Sequence, residues 1–210
     1  MLNYSELLDS LIDQLARYSN VLRKSTQPFV LSRIKNRFPN EIFGFDDELI
    51  RESLIEHVGS LPIIAVFLHP YLDIDVDLGK VLIILAIHDI GETVLGDELT
   101  FIKQTDSREY IEGKKLLHLN YHRLYQEEFE ALTPEAKFAK SIDKIAPDIL
   151  DLLCGEDYSI KRVAKQANWQ EFEVMQKIRD KKRPFMLWSV FMTDFHDQLF
   201  SRFETKTIKN

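Results

Sequence analysis

The chain has 210 residues, 45% of them hydrophobic, which is enough to bury a full core in one domain. Its formal net charge of -7 argues against broad affinity for nucleic acid, which requires clustered positive charge. A single cysteine, Cys154, excludes an intramolecular disulfide and a Cys-rich zinc site, and suits a reducing, cytoplasmic setting.

Seven glycines and seven prolines against 29% charged residues favour long helices over a turn-rich sandwich. No repeat, low-complexity tract or linker composition divides the chain, so residues 1–210 are expected to form one all-α domain. The start lacks a basic and apolar leader pattern, and uninterrupted apolar runs fall short of the roughly 18 residues that cross a bilayer. No membrane partner is therefore expected.

Leu7, Leu8, Leu11, Ile12 and Leu15 mark an N-terminal amphipathic helix within residues 1–27, with Ser5 as its cap. A short helix is expected over 29–36, ending before Pro39, followed by a loop over 40–47 around Gly44. Asp46 or Asp47 would cap the next helix, over 48–68, which Pro62 should kink or restart near Gly59-Ser60. Asp77 opens a helix through the apolar block Val81 to Ile87, ending at His88-Asp89, with Gly91 and Gly96 bracketing a tight passage. Further helices are predicted over 106–130, 134–153, 159–180 and 184–203. Pro134 and Pro184 would stand at first helical positions. No segment alternates well enough to be read as a strand.

The chemistry lies in three separated pairs, Glu56-His57, His88-Asp89 and Asp143-Lys144, each placed in a predicted helix. A divalent ion accepts imidazole nitrogen and carboxylate oxygen together, and a His/His/Asp/Asp set leaves positions open for water and substrate. Such an ion lowers the pKa of bound water and offsets phosphoryl charge.

These pairs are joined by Leu31-Ser32-Arg33, Asn36-Arg37-Phe38-Pro39, His88-Asp89-Ile90-Gly91-Glu92, Gly96-Asp97 and the block Glu135 to Lys144. In that order they resemble the HD-domain metal-dependent phosphohydrolases, most closely the 5'-deoxynucleotidase branch, over residues 28–200. The resemblance implies an HD-type helical bundle in which His57, His88, Asp89 and Asp143 hold one divalent cation (Mn, Co, Fe, Ni, Zn or Mg). It also implies that Glu92 handles a proton and that Asp97 orients Glu92 or the attacking water. Arg37 would face the substrate phosphate, with Phe38 as an aromatic wall where the family usually has tryptophan, and Lys103 would contribute to substrate binding.

The implied reaction is removal of the 5'-phosphate from (deoxy)ribonucleoside monophosphates, a step of nucleotide metabolism. The alternative within the superfamily is a nucleotide phosphodiesterase or pyrophosphohydrolase. A silent nucleotide sensor is a third reading. A homodimer is expected from the resemblance and from the aromatic stripe Phe185, Leu187, Trp188, Phe191, Phe195 and Phe200, which is core or subunit contact.

Other features have plainer readings. His118 and His122 share a helix face without the acid of a zinc-protease pattern, His69 caps or packs, and His196 packs. Gly91 to Gly96 has phosphate-loop spacing, but Asp97 stands where that loop needs lysine. Residues 161–183 resemble a helix-turn-helix with Asn168 in the turn. Its eight basic residues against three acidic ones describe a solvated face before a DNA reader.

Overall fold

The computed structural model describes residues 21, 28–30, 49–51, 53–96, 107–154, 160, 163–165 and 168–207. The predicted helix within 1–27, the loop over 40–47 and the site residues Arg37, Phe38, Asp97 and Lys103 lie outside the described residues.

The described chain is a helical bundle with one short antiparallel ribbon, in which β1 (Pro28–Val30) pairs with β2 (Leu49–Arg51), Phe29 opposite Ile50. This overturns two expectations, since extended pairing replaces both the start of a helix over 29–36 and the first turn of the helix over 48–68. Phe29, Val30 and Ile50 are the aromatic and β-branched types that a ladder favours.

Helix α1 (Leu54–Leu68) starts six residues later than predicted, because Ser53 and not Asp46 or Asp47 caps it. The Ser53 hydroxyl accepts from the Glu56 amide, and the Glu56 carboxylate accepts from the Ser53 amide at 2.6 Å, a reciprocal capping box. The helix then continues through Pro62 without restarting at Gly59-Ser60. Helix α2 (Leu78–Ile87) is capped by Asp77, as its sequence indicates, through the Lys80 amide. One turn, α3 (Glu92–Leu95), follows His88-Asp89 and stops at Gly96, whose φ of 81° only glycine adopts without strain.

The stretch 106–130 is two helices, α4 (Ser107–Leu116) and α5 (His122–Glu130). Histidine side chains take over the backbone groups at the break. His118 Nδ1 accepts from the Asn120 amide at 3.3 Å, and His122 Nε2 donates to the Leu117 carbonyl at 3.0 Å. Stacking of Tyr110 on Tyr125 and Phe129 folds α5 back on α4.

Helix α6 (Pro134–Cys154) starts at Pro134 with Thr133 accepting from the Ala136 amide, as predicted. Asn168, at φ 55°, then interrupts the helix expected over 159–180, and α7 (Glu171–Lys182) begins beyond it. Pro184 opens only a 3-10 turn, Arg183–Phe185, and the last helix, α8 (Val190–Thr207), begins six residues later.

The core is where α1, α2 and α6 meet. Leu61, Ala65 and Leu68 on α1, Val81, Ile84 and Leu85 on α2, and Phe138, Ile142 and Ile145 on α6 recur at helical spacing and are buried. Truncating one of the larger side chains to alanine costs about 2–5 kcal/mol. The segment Leu54–Tyr71 is, among the described residues, long and apolar enough to cross a membrane by composition alone, which the count of uninterrupted apolar runs did not anticipate. One face packs against α2 and α6 and carries the buried His57, while Ile63, Val66, Phe67 and Tyr71 on the rest of the segment are exposed. The aromatic stripe of α8 is mostly core. Phe200 is buried, Phe185, Trp188, Phe191 and Phe195 pack on the core, and only Leu187 stands out into solvent.

A tertiary cap ties the loop before α2 to α8. Asp73 accepts from the Ser189 hydroxyl and from the amides of Val190 and Phe191 at 3.0 and 3.2 Å, while Ser189 Oγ accepts from Met192. The first three amides of α8 are thereby satisfied. The hydrogen bond from Ser189, helped by those two amides, lowers the Asp73 pKa to about 2. A carboxylate whose folded pKa is depressed stabilises the fold above its unfolded value and loses that contribution as pH falls through the folded one. Asp73→Ala should therefore cost about 1 kcal/mol, a drop of about 2–4 °C in Tm at neutral pH. The gap from wild type should narrow between pH 4 and pH 2 in thermal melts. A gap that is constant across that range would assign the loss to packing instead.

Candidate metal centre

Each of the three core helices delivers one part of a four-residue cluster. His57 comes from the first turn of α1, His88 and Asp89 from the C-terminal end of α2, and Asp143 from the middle of α6. One ligand atom from each of the four lies within 4.8 Å of all the others, and all four residues are buried. His57 Nε2 stands 3.2 Å from Asp143 Oδ1 and 3.6 Å from Asp89 Oδ2; His88 Nε2 stands 3.1 Å from Asp89 Oδ2 and 3.6 Å from Asp143 Oδ1. Two imidazoles and two carboxylates thus surround one point.

The protonation of His88 tests whether these residues suit a cation. Its Nδ1 lies 2.9 Å from the Leu85 carbonyl, an acceptor only, so Nδ1 must carry the proton. In the neutral ring the lone pair is then on Nε2. That buried atom has no well-formed hydrogen bond among the described residues, and it faces two carboxylate oxygens. A lone pair opposed to two anions at this distance requires positive charge between them, supplied by a proton or a metal ion.

The electrostatics agree. Burial opposes charge on His88, but Asp89 and Asp143 outweigh it and hold its pKa well above the ordinary value. Burial likewise opposes ionisation of Asp143, but Lys144, His57 and His88 keep its pKa well below the carboxylate range. The donor set of two nitrogens and two oxygens fits a divalent ion of intermediate softness.

Glu92 begins α3 and is buried beside the centre, its carboxylate within 4.8 Å of those of Asp89 and Glu109. The backbone holds it there. A Cβ on Gly91 would lie 2.2 Å from the Glu109 carbonyl, so only glycine allows α4 to approach α3 this closely. Glu109 has no distinguishing sequence pattern and was not anticipated; the glycine immediately before Glu92 is the one local sign of a close backbone neighbour. Lys144 reaches Asp143 Oδ2 at 2.6 Å. Beyond it lies Glu128, whose pKa burial raises and Lys140 partly restores, a half-buried acid that the sequence reading also missed.

The remaining histidines take structural places. His69 Nε2 donates to the Val76 carbonyl at 2.8 Å, and His196 is packed, with Nδ1 3.2 Å from Asp197. In the segment resembling a helix-turn-helix, Val174, Met175 and Ile178 face the core. Lys177 pairs with Glu173, Lys182 with Asp148, and Arg179 and Arg183 with Asp197, so much of its positive charge is balanced within the chain.

The sequence profile of the HD domain matches residues 45–183. The chain belongs to the HD-domain family. No curated protein matches this HD domain. Among solved structures it is similar to a predicted metal-dependent phosphohydrolase of Magnetospirillum magnetotacticum (TM-score 0.68, 21% identity, covering 98% of this chain and 95% of that one). A protein of Pyrococcus horikoshii is also similar (TM-score 0.57, 15% identity, 92% and 98% coverage). So is a conserved hypothetical protein of Pyrococcus furiosus (TM-score 0.50, 18% identity, 84% and 99% coverage). At these identities the likeness is one of fold. The ligand geometry and the family together mark the chain as a metal-dependent HD-type hydrolase.

His57→Ala, His88→Ala, Asp89→Ala and Asp143→Ala should each abolish tight binding of Mn, measured by titration calorimetry on protein stripped with chelator. Wild type should gain thermal stability on adding the ion, because a ligand that binds only the folded state stabilises it. Undiminished binding in any two of these variants would refute the four-ligand centre.

Proposed function

We propose that this protein hydrolyses phosphate esters of nucleotides. The observation that carries the reading is the buried His57, His88, Asp89, Asp143 set, with the lone pair of His88 directed inward by the Leu85 carbonyl. A divalent cation bound there supplies Lewis acidity toward a phosphoryl oxygen and makes water a better nucleophile near neutral pH. In the reaction the water oxygen bonds to phosphorus, the phosphorus bond to the leaving oxygen breaks, and Glu92 takes the proton that the water loses, which then passes to the leaving oxygen. The family resemblance adds Asp97 to orient Glu92 or the water, and Arg37, Phe38 and Lys103 to hold the substrate.

Two finer readings have different support. Action on a phosphodiester or pyrophosphate is favoured by the described geometry, because Asp89, Glu92 and Glu109 form a second carboxylate group that shares Asp89 with the centre. A pair of cations clamps both the attacking and the leaving oxygen of an in-line displacement. Action on 5'-deoxyribonucleoside monophosphates is supported by Arg37-Phe38 and the surrounding blocks in the sequence. A cytoplasmic location belongs to the same proposal and is supported by the lone cysteine.

A panel of nucleoside 5'-monophosphates, cyclic and linear dinucleotides and nucleoside polyphosphates, assayed with Mn, Co, Ni, Zn and Mg, should yield hydrolysis of one class. Release of inorganic phosphate from monophosphates alone selects the first branch. Nucleotide products, together with two equivalents of Mn bound by wild type and one by Glu109→Gln, select the second. Absence of hydrolysis with every ion would leave a sensor and end the enzymatic reading. In the first branch Glu92→Ala should retain metal while losing at least about 100-fold in kcat. Arg37→Ala should raise KM for monophosphates with little change in metal content, and an unchanged KM would remove its phosphate contact.

A further inference from the structure

Asp143 has two carboxylate oxygens, and the structure divides them between two partners. Oδ1 faces both imidazoles, 3.2 Å from His57 Nε2 and 3.6 Å from His88 Nε2. Oδ2 lies 2.6 Å from the Lys144 ammonium. Successive residues on a helix ordinarily point away from each other, so this contact needs an external cause. Two are present. The Lys144 ammonium lies 6.0 Å from the Phe185 ring centroid, and its side chain is only 25% exposed. Carboxylates from two other elements, Asp89 and Glu128, also attract it. Lys144 is therefore held against Asp143, and it leaves Oδ1 as the oxygen directed at the cluster.

This division matters for coordination. A free aspartate can bind a cation through one oxygen or chelate it through both, and the choice changes the coordination number and the number of positions left for water and substrate. A charge-assisted hydrogen bond to one oxygen removes that freedom. Counting formal charges, a divalent ion is cancelled by Asp89 and Asp143, and the Lys144 ammonium offsets part of the further negative charge of Glu92, Glu109 and Glu128.

We propose that Lys144 is a positioning residue of the metal centre, which engages Oδ2 so that Asp143 presents only Oδ1 to the cation. The inference rests on the hydrolase reading and deepens it. Lys144→Met keeps the length and apolar stem of the side chain and removes the ammonium; Lys144→Arg keeps a cationic donor for Oδ2. In calorimetric titrations of stripped protein, the Mn affinity of Lys144→Met should differ about 10–100-fold from wild type, and Lys144→Arg should restore the wild-type value. With Co bound, the visible absorption of Lys144→Met should shift in position and intensity as the coordination number changes, while that of Lys144→Arg should match wild type.

Wild-type affinity and an unchanged Co spectrum in Lys144→Met would overturn the inference alone. Equal changes in both variants would also overturn it, because they would point to packing around Phe185. Failure of the wild-type protein to bind Mn or Co would overturn the hydrolase reading and this inference with it. Lys144→Gln serves the same comparison if the methionine variant is recovered unfolded, with melts in chelator establishing which variants fold.

Discussion

Two carboxylates, Asp89 and Asp143, are brought together in the interior of a helical bundle, and most of what is distinctive in this protein follows from balancing them. Burying one unpaired charge is costly and burying two of the same sign side by side more so, unless positive charge stands between and around them. The chain meets that requirement from three directions. His57 arrives from α1 and His88 from the end of α2, while Lys144 closes the outer side of Asp143 on α6. These are also the helices whose apolar faces make the core, so packing that stabilises the bundle sets the separation of the ligands at the same time. A shift of α1 against α6 would disturb His57 and Asp143 before it exposed much apolar surface.

The centre is also asymmetric. At its Asp89 end stand further acids, Glu92 and Glu109, within reach of one another; at its Asp143 end stands a lysine, with a half-buried acid, Glu128, behind it. Carboxylates at one end suit the taking up of protons, and an ammonium at the other suits a negatively charged ester. A fold that merely needed to neutralise two aspartates would not require such an ordering.

How much of this was legible beforehand depended on the range of the interactions. His88-Asp89 stood out because it ends an apolar run, whereas His57 and Asp143 were picked out through the resemblance, by their place in the ordered blocks. The caps at Asp77 and Thr133 were equally readable, as each depends on residues within one turn. Where the reading failed, a competitor from outside the window decided. Residues 49–51 pair with 28–30 instead of extending α1, and two histidine side chains interrupt the run 106–130 by serving backbone groups. The start of α8 at Val190 depends on Asp73, more than a hundred residues earlier. At Pro62 the helix does not restart, since the packing of α1 on α2 and α6 keeps it whole past one missing amide.

Gly91 shows how an apparently local feature acquires chemical meaning in three dimensions. With Gly96 it read as one bracket of a tight passage, yet its lack of a side chain is what lets the Glu109 carbonyl come so near. That contact seats α4 against α3, which brings the Glu109 carboxylate to Asp89 and Glu92 and fixes the start of the one-turn helix that carries Glu92. The placement of the proposed proton acceptor is thus set by backbone against backbone, the least adjustable kind of contact in the fold. The proposed proton acceptor and the residue that permits its placement are adjacent in sequence, but the reason for the second lies on another helix.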